Sequence, residues 1–203
     1  MFNKYLKRYS IFVKFKYTLF NKSKKFNLKK ILVISDTHSH IDDKIISYVK
    51  KTDQVWHAGD VGNMSILDQL KNLKKTIAVF GNIDNNILRK ELKEHELFYC
   101  EKIKVLITHI AGKTPNYNKK TRELIKLEKP KILVCGHSHI LKVNYDKKND
   151  LLCINPGAAG RHGFHKKRTI VRFEITEYNI QKMEIIELGD RSVLSNPVGR
   201  ANY

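Results

Sequence analysis

Cysteine is scarce in this 203-residue chain: Cys100, Cys135 and Cys153 are odd in number and form no CxxC pair. That excludes a disulfide-stapled scaffold and a cysteine zinc ribbon, and it fits buried, reduced thiols in a reducing compartment. No run approaches the roughly 18 apolar residues of a membrane span. The most apolar part of the leader, residues 10–20, is broken by Lys14 and Lys16, a poor secretory signal. A cytoplasmic protein is the expectation. Arginine is rare too, eight of the 39 basic residues, although the formal net charge is +19. Recognition of phosphate and base edges favours the bidentate fork of Arg, so the lysine excess reads as compositional bias and nucleic acid is not expected as the main partner. Acids are missing altogether from residues 1–30, which hold ten of the basic residues interleaved with aromatics that show no period. This segment reads as a basic N-terminal extension, with organelle targeting or membrane-surface binding as competing roles.

A chain of this length buries roughly 70% of its unfolded surface and holds a core without staples, which leaves any metal free to serve chemistry. From residue 31 short apolar runs alternate with amphipathic stretches. Strands are expected over 31–35, 54–57, 76–80, 103–108, 131–135, 141–145, 151–154, 169–175 and 180–187, and helices over 42–51, 64–73 and 119–127. Strand and helix alternate in the first half, whereas the last 70 residues read as strands alone. The fold class is therefore α/β, a two-sheet β-sandwich flanked by helices. One domain is expected over 31–190, between the extension at 1–30 and a C-terminal tail at 191–203. Exposed sheet edges leave a homodimer open.

Metal-capable side chains stand where the apolar runs end. Ile31–Ser35 leads into Asp36 and His38, Val55–His57 into Gly59-Asp60, Ile77–Phe80 into Gly81-Asn82, Val105–Thr108 into His109, and Ile132–Cys135 into Gly136-His137-Ser138-His139. The carboxyl ends of parallel strands open onto one crevice, so these seven groups are expected to converge although 22 to 28 residues separate successive clusters. A mixed oxygen and imidazole set suits Mn²⁺, Fe²⁺, Ni²⁺ or Zn²⁺ better than Ca²⁺ or Mg²⁺. Seven groups exceed the needs of one ion. Two ions about 3.5–4 Å apart that share a carboxylate fit the count, and such pairs serve displacement at phosphorus.

Asp36-x-His38, Gly59-Asp60, Gly81-Asn82, His109 and Gly136-His137-x-His139 resemble the five-block motif of the calcineurin-like metallophosphoesterase superfamily. The spacing and Asn155-Pro156-Gly157-Ala158 look most like its small YfcE-like phosphodiesterase branch. The resemblance implies a four-layer αββα fold and two divalent ions, Mn²⁺ first among them. Asp36, His38 and His139 would hold one ion and Asn82, His109 and His137 the other, with Asp60 between them. A hydroxide held by both ions would attack phosphorus in line, and Asn82 would also bind the substrate phosphate. A member of the same fold acts as a scaffold in the retromer coat, so a non-catalytic scaffold for protein partners is the alternative, with a nuclease or nucleic-acid binder behind it.

Two blocks depart from the usual pattern. Gly81-Asn82-Ile83-Asp84 lacks the histidine that protonates the leaving group in many members, and Thr108-His109-Ile110 lacks the usual glycine. Asp84 is the weak candidate for that acid, with an orienting or turn role preferred. Arg161 and His162 are weak candidates for substrate binding, as is His165. His57 is expected as a core or orienting histidine, and Trp56 as core.

Overall fold

The computed structural model describes residues 27–192. The expected extension up to residue 26 and the tail beyond residue 192 lie outside the described residues. The chain runs β1 (Lys29–Ile34), α1 (Asp43–Lys50), β2 (Gln54–His57), α2 (Met64–Leu73), β3 (Lys75–Ala78), α3 (Asn86–Glu91), β4 (His95–Cys100) and β5 (Ile103–Thr108). It continues through β6 (Gly112–Lys113), β7 (Asn116–Tyr117), α4 (Lys119–Glu128), β8 (Ile132–Val134), β9 (Leu141–Asp146), β10 (Leu151–Pro156), β11 (Lys167–Thr176) and β12 (Asn179–Asp190). Two five-stranded sheets result, ordered β12-β11-β1-β2-β3 and β4-β5-β8-β10-β9, beside a small β6-β7 hairpin. Strands β1, β2 and β3 are parallel, as are β5, β8 and β10; the outer pairs are antiparallel.

Burial of both strand faces explains the layering. Ile31 and Val33 of β1 enter a core shared with Trp56, Val105, Ile107, Ile132, Val134, Ile154 and Phe173, which fills the space between the sheets. Leu32 and Ile34 point the other way, onto Ile45 and Val49 of α1 and Leu67 and Leu70 of α2. Across the second sheet Leu106, Leu133 and Leu151 pack with Ile125 of α4. Strands covered on both sides read as continuous apolar runs, which is why the central strands stand out in the sequence. Helices α1–α3, two sheets and α4 make the expected four layers. Each helix starts where an Asp or Asn side chain accepts an otherwise orphaned backbone N–H: Asp42, Asn63, Asn85 and Asn118.

Four elements were not expected: helix α3, strand β4 and the two-residue strands β6 and β7. Helix α3 has six residues and depends on its Asn85 cap and on buried Leu88. Strand β4 is a half-exposed edge paired with β5 alone, so it carries no clean alternation. Strand β1 also begins at Lys29, two residues ahead of its expected start. Trp56 is fully buried, with the rings of Phe98 and Phe173 edge-on at 5.4 and 5.6 Å. The three cysteines are unpaired. Among the described residues no helix is long and apolar enough to cross a membrane.

Candidate metal centre

The loops that follow the parallel strands continue to pair after the sheets end. Asp36 N–H donates to the Gly59 carbonyl (3.0 Å), His38 N–H to that of Asp60 (3.0 Å) and Ser39 N–H to that of Val61 (2.9 Å), so the loops after β1 and β2 lie side by side. The second sheet is tied in by Ala159 and Gly160, whose N–H groups donate to the Ser35 and Asp36 carbonyls at 2.9 and 3.0 Å. His137 N–H donates to both Asp36 carboxylate oxygens at 3.2 Å. Two glycines permit this closeness: a Cβ on Gly81 would overlap the Asp60 carboxylate, and one on Gly136 the Ser35 hydroxyl.

The seven expected groups meet in two sets. In the first, Asp36, His38, Asp60 and His139 each offer a donor atom, all within 4.8 Å of one another. His139 Nε2 lies 3.2 Å from Asp36 Oδ1 and 3.4 Å from His38 Nε2, which is 3.6 Å from Asp60 Oδ2. In the second, Asn82 Oδ1 lies 3.0 Å from His109 Nε2 and 2.8 Å from His137 Nδ1, while His109 Nε2 is 3.2 Å from Asp60 Oδ1. Asp60 therefore turns one carboxylate oxygen to each set.

The donor chemistry of the second set calls for a cation. His109 Nδ1 is 2.7 Å from the Ala58 carbonyl, which only accepts, so this nitrogen carries the proton of the neutral ring. His109 Nε2 is then a bare lone pair, aimed at the oxygens of Asp60 and Asn82. Three acceptors pointing at one another repel unless a proton or a metal ion lies among them. The residues thus fit a divalent cation. Protonation shows the same demand: burial opposes charge on His109, but the hydrogen bond and charge of Asp60 outweigh it and raise its pKa above the ordinary imidazole value. The pairing with His109, joined by the Ile83 N–H, holds Asp60 below the usual carboxylate range against the effect of its burial. Burial lowers the pKa of His38 despite the nearby Asp60 and Asp36, which favours the neutral, ligating ring.

The backbone is strained at the same residues. Asp36, His38, Asp60, His137 and His139 have φ of 53°, 45°, 54°, 69° and 56°. Left-handed conformation at non-glycine residues costs of order 1 kcal/mol or more each and gathers at functional sites. Five such residues at the ends of three strands reflect a geometry imposed by the fold, and the composition of the motif gives no hint of it.

The remaining candidates divide. The Asp84 carboxylate is buried and accepts from the backbone N–H groups of Val61 (3.1 Å), Gly62 (2.7 Å) and Gly81 (2.8 Å), which clasps the Asp60 and Asn82 loops together. The orienting role is the one this geometry serves. His57 Nδ1 accepts from Gly59 N–H (3.2 Å), so its Nε2–H donates to the Thr37 hydroxyl (2.9 Å), and burial lowers its pKa to about 4. It braces the backbone beside the ligand loops without touching a ligand side chain. Arg161 donates from Nε to His40 Nε2 (3.2 Å) and from Nη1 to the Arg191 carbonyl (3.1 Å), a strut between those two segments. His162 is brought in, its ring 4.8 Å from that of His38. His165 comes closer still, with Nδ1 3.2 Å from His139 Nδ1.

Comparison with known proteins places this arrangement. Residues 30–178 match the model of the calcineurin-like phosphoesterase superfamily domain. The chain belongs to that superfamily. It is 35% identical over 133 residues to a probable metallophosphoesterase of Methanocaldococcus jannaschii, covering 62% of this chain and 66% of the relative. A probable metallophosphoesterase of Methanothermobacter thermautotrophicus is 29% identical over 132 residues, or 62% and 74% of the two chains. Just under two thirds of the first relative's length is thus spanned. Among solved structures, a conserved uncharacterised protein of Streptococcus pneumoniae, described as a predicted phosphoesterase, superposes with a TM-score of 0.60 at 24% identity over 79% of this chain and 90% of that one. Chaetomium thermophilum Vps29 gives 0.65 at 15% identity over 79% and 97%, and Entamoeba histolytica Vps29 complexed with Zn²⁺ gives 0.57 at 18% over 78% and 98%. At these identities the superpositions speak for the αββα fold, which the family shares.

Proposed function

We propose that this member of the superfamily is a dinuclear, metal-dependent phosphodiesterase for small diesters, with Mn²⁺ the first metal to test and Ni²⁺, Fe²⁺ and Zn²⁺ next. The observation that carries the reading is the placement of Asp60, one oxygen toward each set of donors. Asp36, His38 and His139 would hold one ion, Asn82, His109 and His137 the other, and Asp60 both. Two bound cations would polarise the phosphoryl oxygens and lower the pKa of water at the site. The chain's own groups then fix geometry. Asn82, with its amide oxygen turned to the histidines, has its NH₂ left to donate to a phosphoryl oxygen. Asp84 is committed to backbone N–H groups, so the leaving group departs without a side-chain acid and turnover depends steeply on leaving-group acidity.

The surroundings favour a small diester. Ile83, Ile110 and Ile140, next in sequence to Asn82, His109 and His139, are 46%, 43% and 66% exposed, and Phe164 between His162 and His165 is fully exposed. No residue adjoining the seven donor residues in sequence is Lys or Arg, in a chain with 39 of them. The guanidinium that reaches this rim, Arg89, is committed to the carbonyls of Gly81, Asn82 and Asp84, and apolar shoulders suit a singly charged ester with two carbon arms, whereas a nucleic-acid strand needs free cations along its path. The same shoulders favour one other reading, a scaffold that docks a protein partner at the metal centre.

The test is hydrolysis of bis(4-nitrophenyl) phosphate beside 4-nitrophenyl phosphate by protein stripped of metal and reloaded with Mn²⁺, with Asp60→Ala as control. Mn²⁺-dependent cleavage that favours the diester and is lost in the variant supports the phosphodiesterase reading. Two bound ions without turnover of either ester would move the reading to the scaffold.

A further inference from the structure

A sixth parallel strand, β10, also ends at the cluster. Its outgoing segment, residues 157–166, contains His165, whose ring stands edge-on to His139 with centroids 5.1 Å apart. His165 Nε2 is 3.2 Å from the Gly160 carbonyl, which can only accept, so the proton of a neutral His165 ring sits on Nε2. Its Nδ1 is then a lone pair, 3.2 Å from His139 Nδ1. That contact requires the proton on His139 Nδ1, which leaves His139 Nε2 bare and facing Asp36 Oδ1 and His38 Nε2. A run of two hydrogen bonds thus starts at a backbone carbonyl and ends by setting a tautomer at the donor cluster. Gly160 is itself fixed, its N–H donating to the Asp36 carbonyl (3.0 Å), so the relay is anchored on the backbone of another candidate ligand.

We propose that His165 is a positioning residue for the metal centre: it fixes His139 as the Nδ1–H tautomer, with Nε2 free to bind the ion. Ligating histidines generally hand their second N–H to a carboxylate, carbonyl or water, and loss of that partner costs about 10–100-fold in metal affinity. Here a second imidazole does the work. Being neutral, it sets the ring without adding negative charge beside Asp36 and Asp60. The proposal rests on the metal-centre reading, so its test includes a measurement made without metal.

Two variants of the full chain separate the hydrogen bond from packing. His165→Phe keeps ring bulk and removes the acceptor. His165→Gln keeps an acceptor for His139 and a donor for Gly160. In metal-free protein at neutral pH, ¹⁵N shifts of the His139 ring should show a proton held on Nδ1 in wild type and in His165→Gln, and a loss of that preference in His165→Phe. On titration with Zn²⁺ alone, His165→Phe should bind about 10–100-fold more weakly at one of two sites, with His165→Gln within a few-fold of wild type. A wild-type His139 ring protonated on Nε2 with Nδ1 bare would overturn the proposal. So would equal weakening by Phe and Gln, which would reduce His165 to packing, and so would wild-type affinity in His165→Phe. Absence of Zn²⁺ binding by the wild-type chain would instead remove the metal-centre reading on which the proposal stands.

Discussion

Each half of the cluster brings two histidines and one oxygen donor to Asp60, a carboxylate at Asp36 in one and an amide at Asn82 in the other, and the two differ in how they are enclosed. Around Asp36, His38 and His139 both carboxylates are buried, the imidazoles are mostly covered, His162 leans on His38, and His165 pins His139. Around Asn82, His109 and His137 only His109 is buried and anchored, through Ala58; Asn82 and His137 are exposed. A preorganised, shielded donor set loses less entropy and meets less competition from water when it binds a cation. On the dinuclear reading proposed above, the enclosed half would be the retained site and the open half the one that exchanges with solvent and meets substrate.

The comparison breaks most severely at the residue both halves share. Asp60→Ala should remove most bound metal from both and lower diester hydrolysis by roughly 10³-fold or more, the scale of losing a transition-state charge clamp; metal content by plasma mass spectrometry checks it, and normal content would refute the sharing. His139→Ala and His137→Ala sharpen the contrast. Each should leave about one ion per chain, with affinity at its own half down by more than the roughly 10–100-fold that loss of an outer partner costs, and His137→Ala should retain the tighter ion. Asp84→Ala tests the clasp between the loops: metal content stays intact, turnover falls modestly, and urea unfolding should show a loss of about 3 kcal/mol from buried N–H groups left without an acceptor. A fall in turnover beyond about 10³-fold would make Asp84 a general acid instead.

Acid also acts on the frame that holds the donors. The folded pKa of His57, about 4, lies below the ordinary imidazole value of 6.5, so its contribution is fully present above pH 6.5 and is lost as pH falls from 6.5 toward 4. Metal-free protein should lose up to roughly 3 kcal/mol of stability across that window, and a His57→Gln variant should show a flatter profile. The smallest effect belongs to the rim. Ile83→Ser and Ile140→Ser should each lower kcat/KM for an aryl diester a few-fold, on the scale of losing about 1 kcal/mol of apolar contact, with metal content unchanged.

Much of this was legible in the sequence. Central strands covered on both faces write uninterrupted apolar runs, and a metal-capable group after each run marks the shared crevice, so a two-sheet α/β fold flanked by helices and the seven groups that meet at its strand ends could be named from residue order. What stayed hidden depends on geometry without a period. Helix α3 and strand β4 are short or half exposed, and their residues carry no alternation. Asp84 reads as a motif variant until its three backbone partners are seen. His165 lies eleven residues beyond the apolar run 151–154, too far for the strand-end rule to single it out. The sequence names it only as a weak candidate for substrate binding, because residue order does not show that its ring faces His139. The left-handed backbone of five donor residues leaves no trace in residue type, because Asp and His are common in turns of every kind.

The most direct test of the central claim, two unequal ion sites joined by Asp60, is a calorimetric titration of metal-stripped protein with Mn²⁺, repeated on His139→Ala, His137→Ala and Asp60→Ala. The account predicts two binding steps at least about tenfold apart, roughly 1.4 kcal/mol, with the tighter lost in His139→Ala, the weaker lost in His137→Ala and both degraded in Asp60→Ala. A single step, two steps of equal affinity, or a tighter step that survives His139→Ala and vanishes in His137→Ala would contradict it.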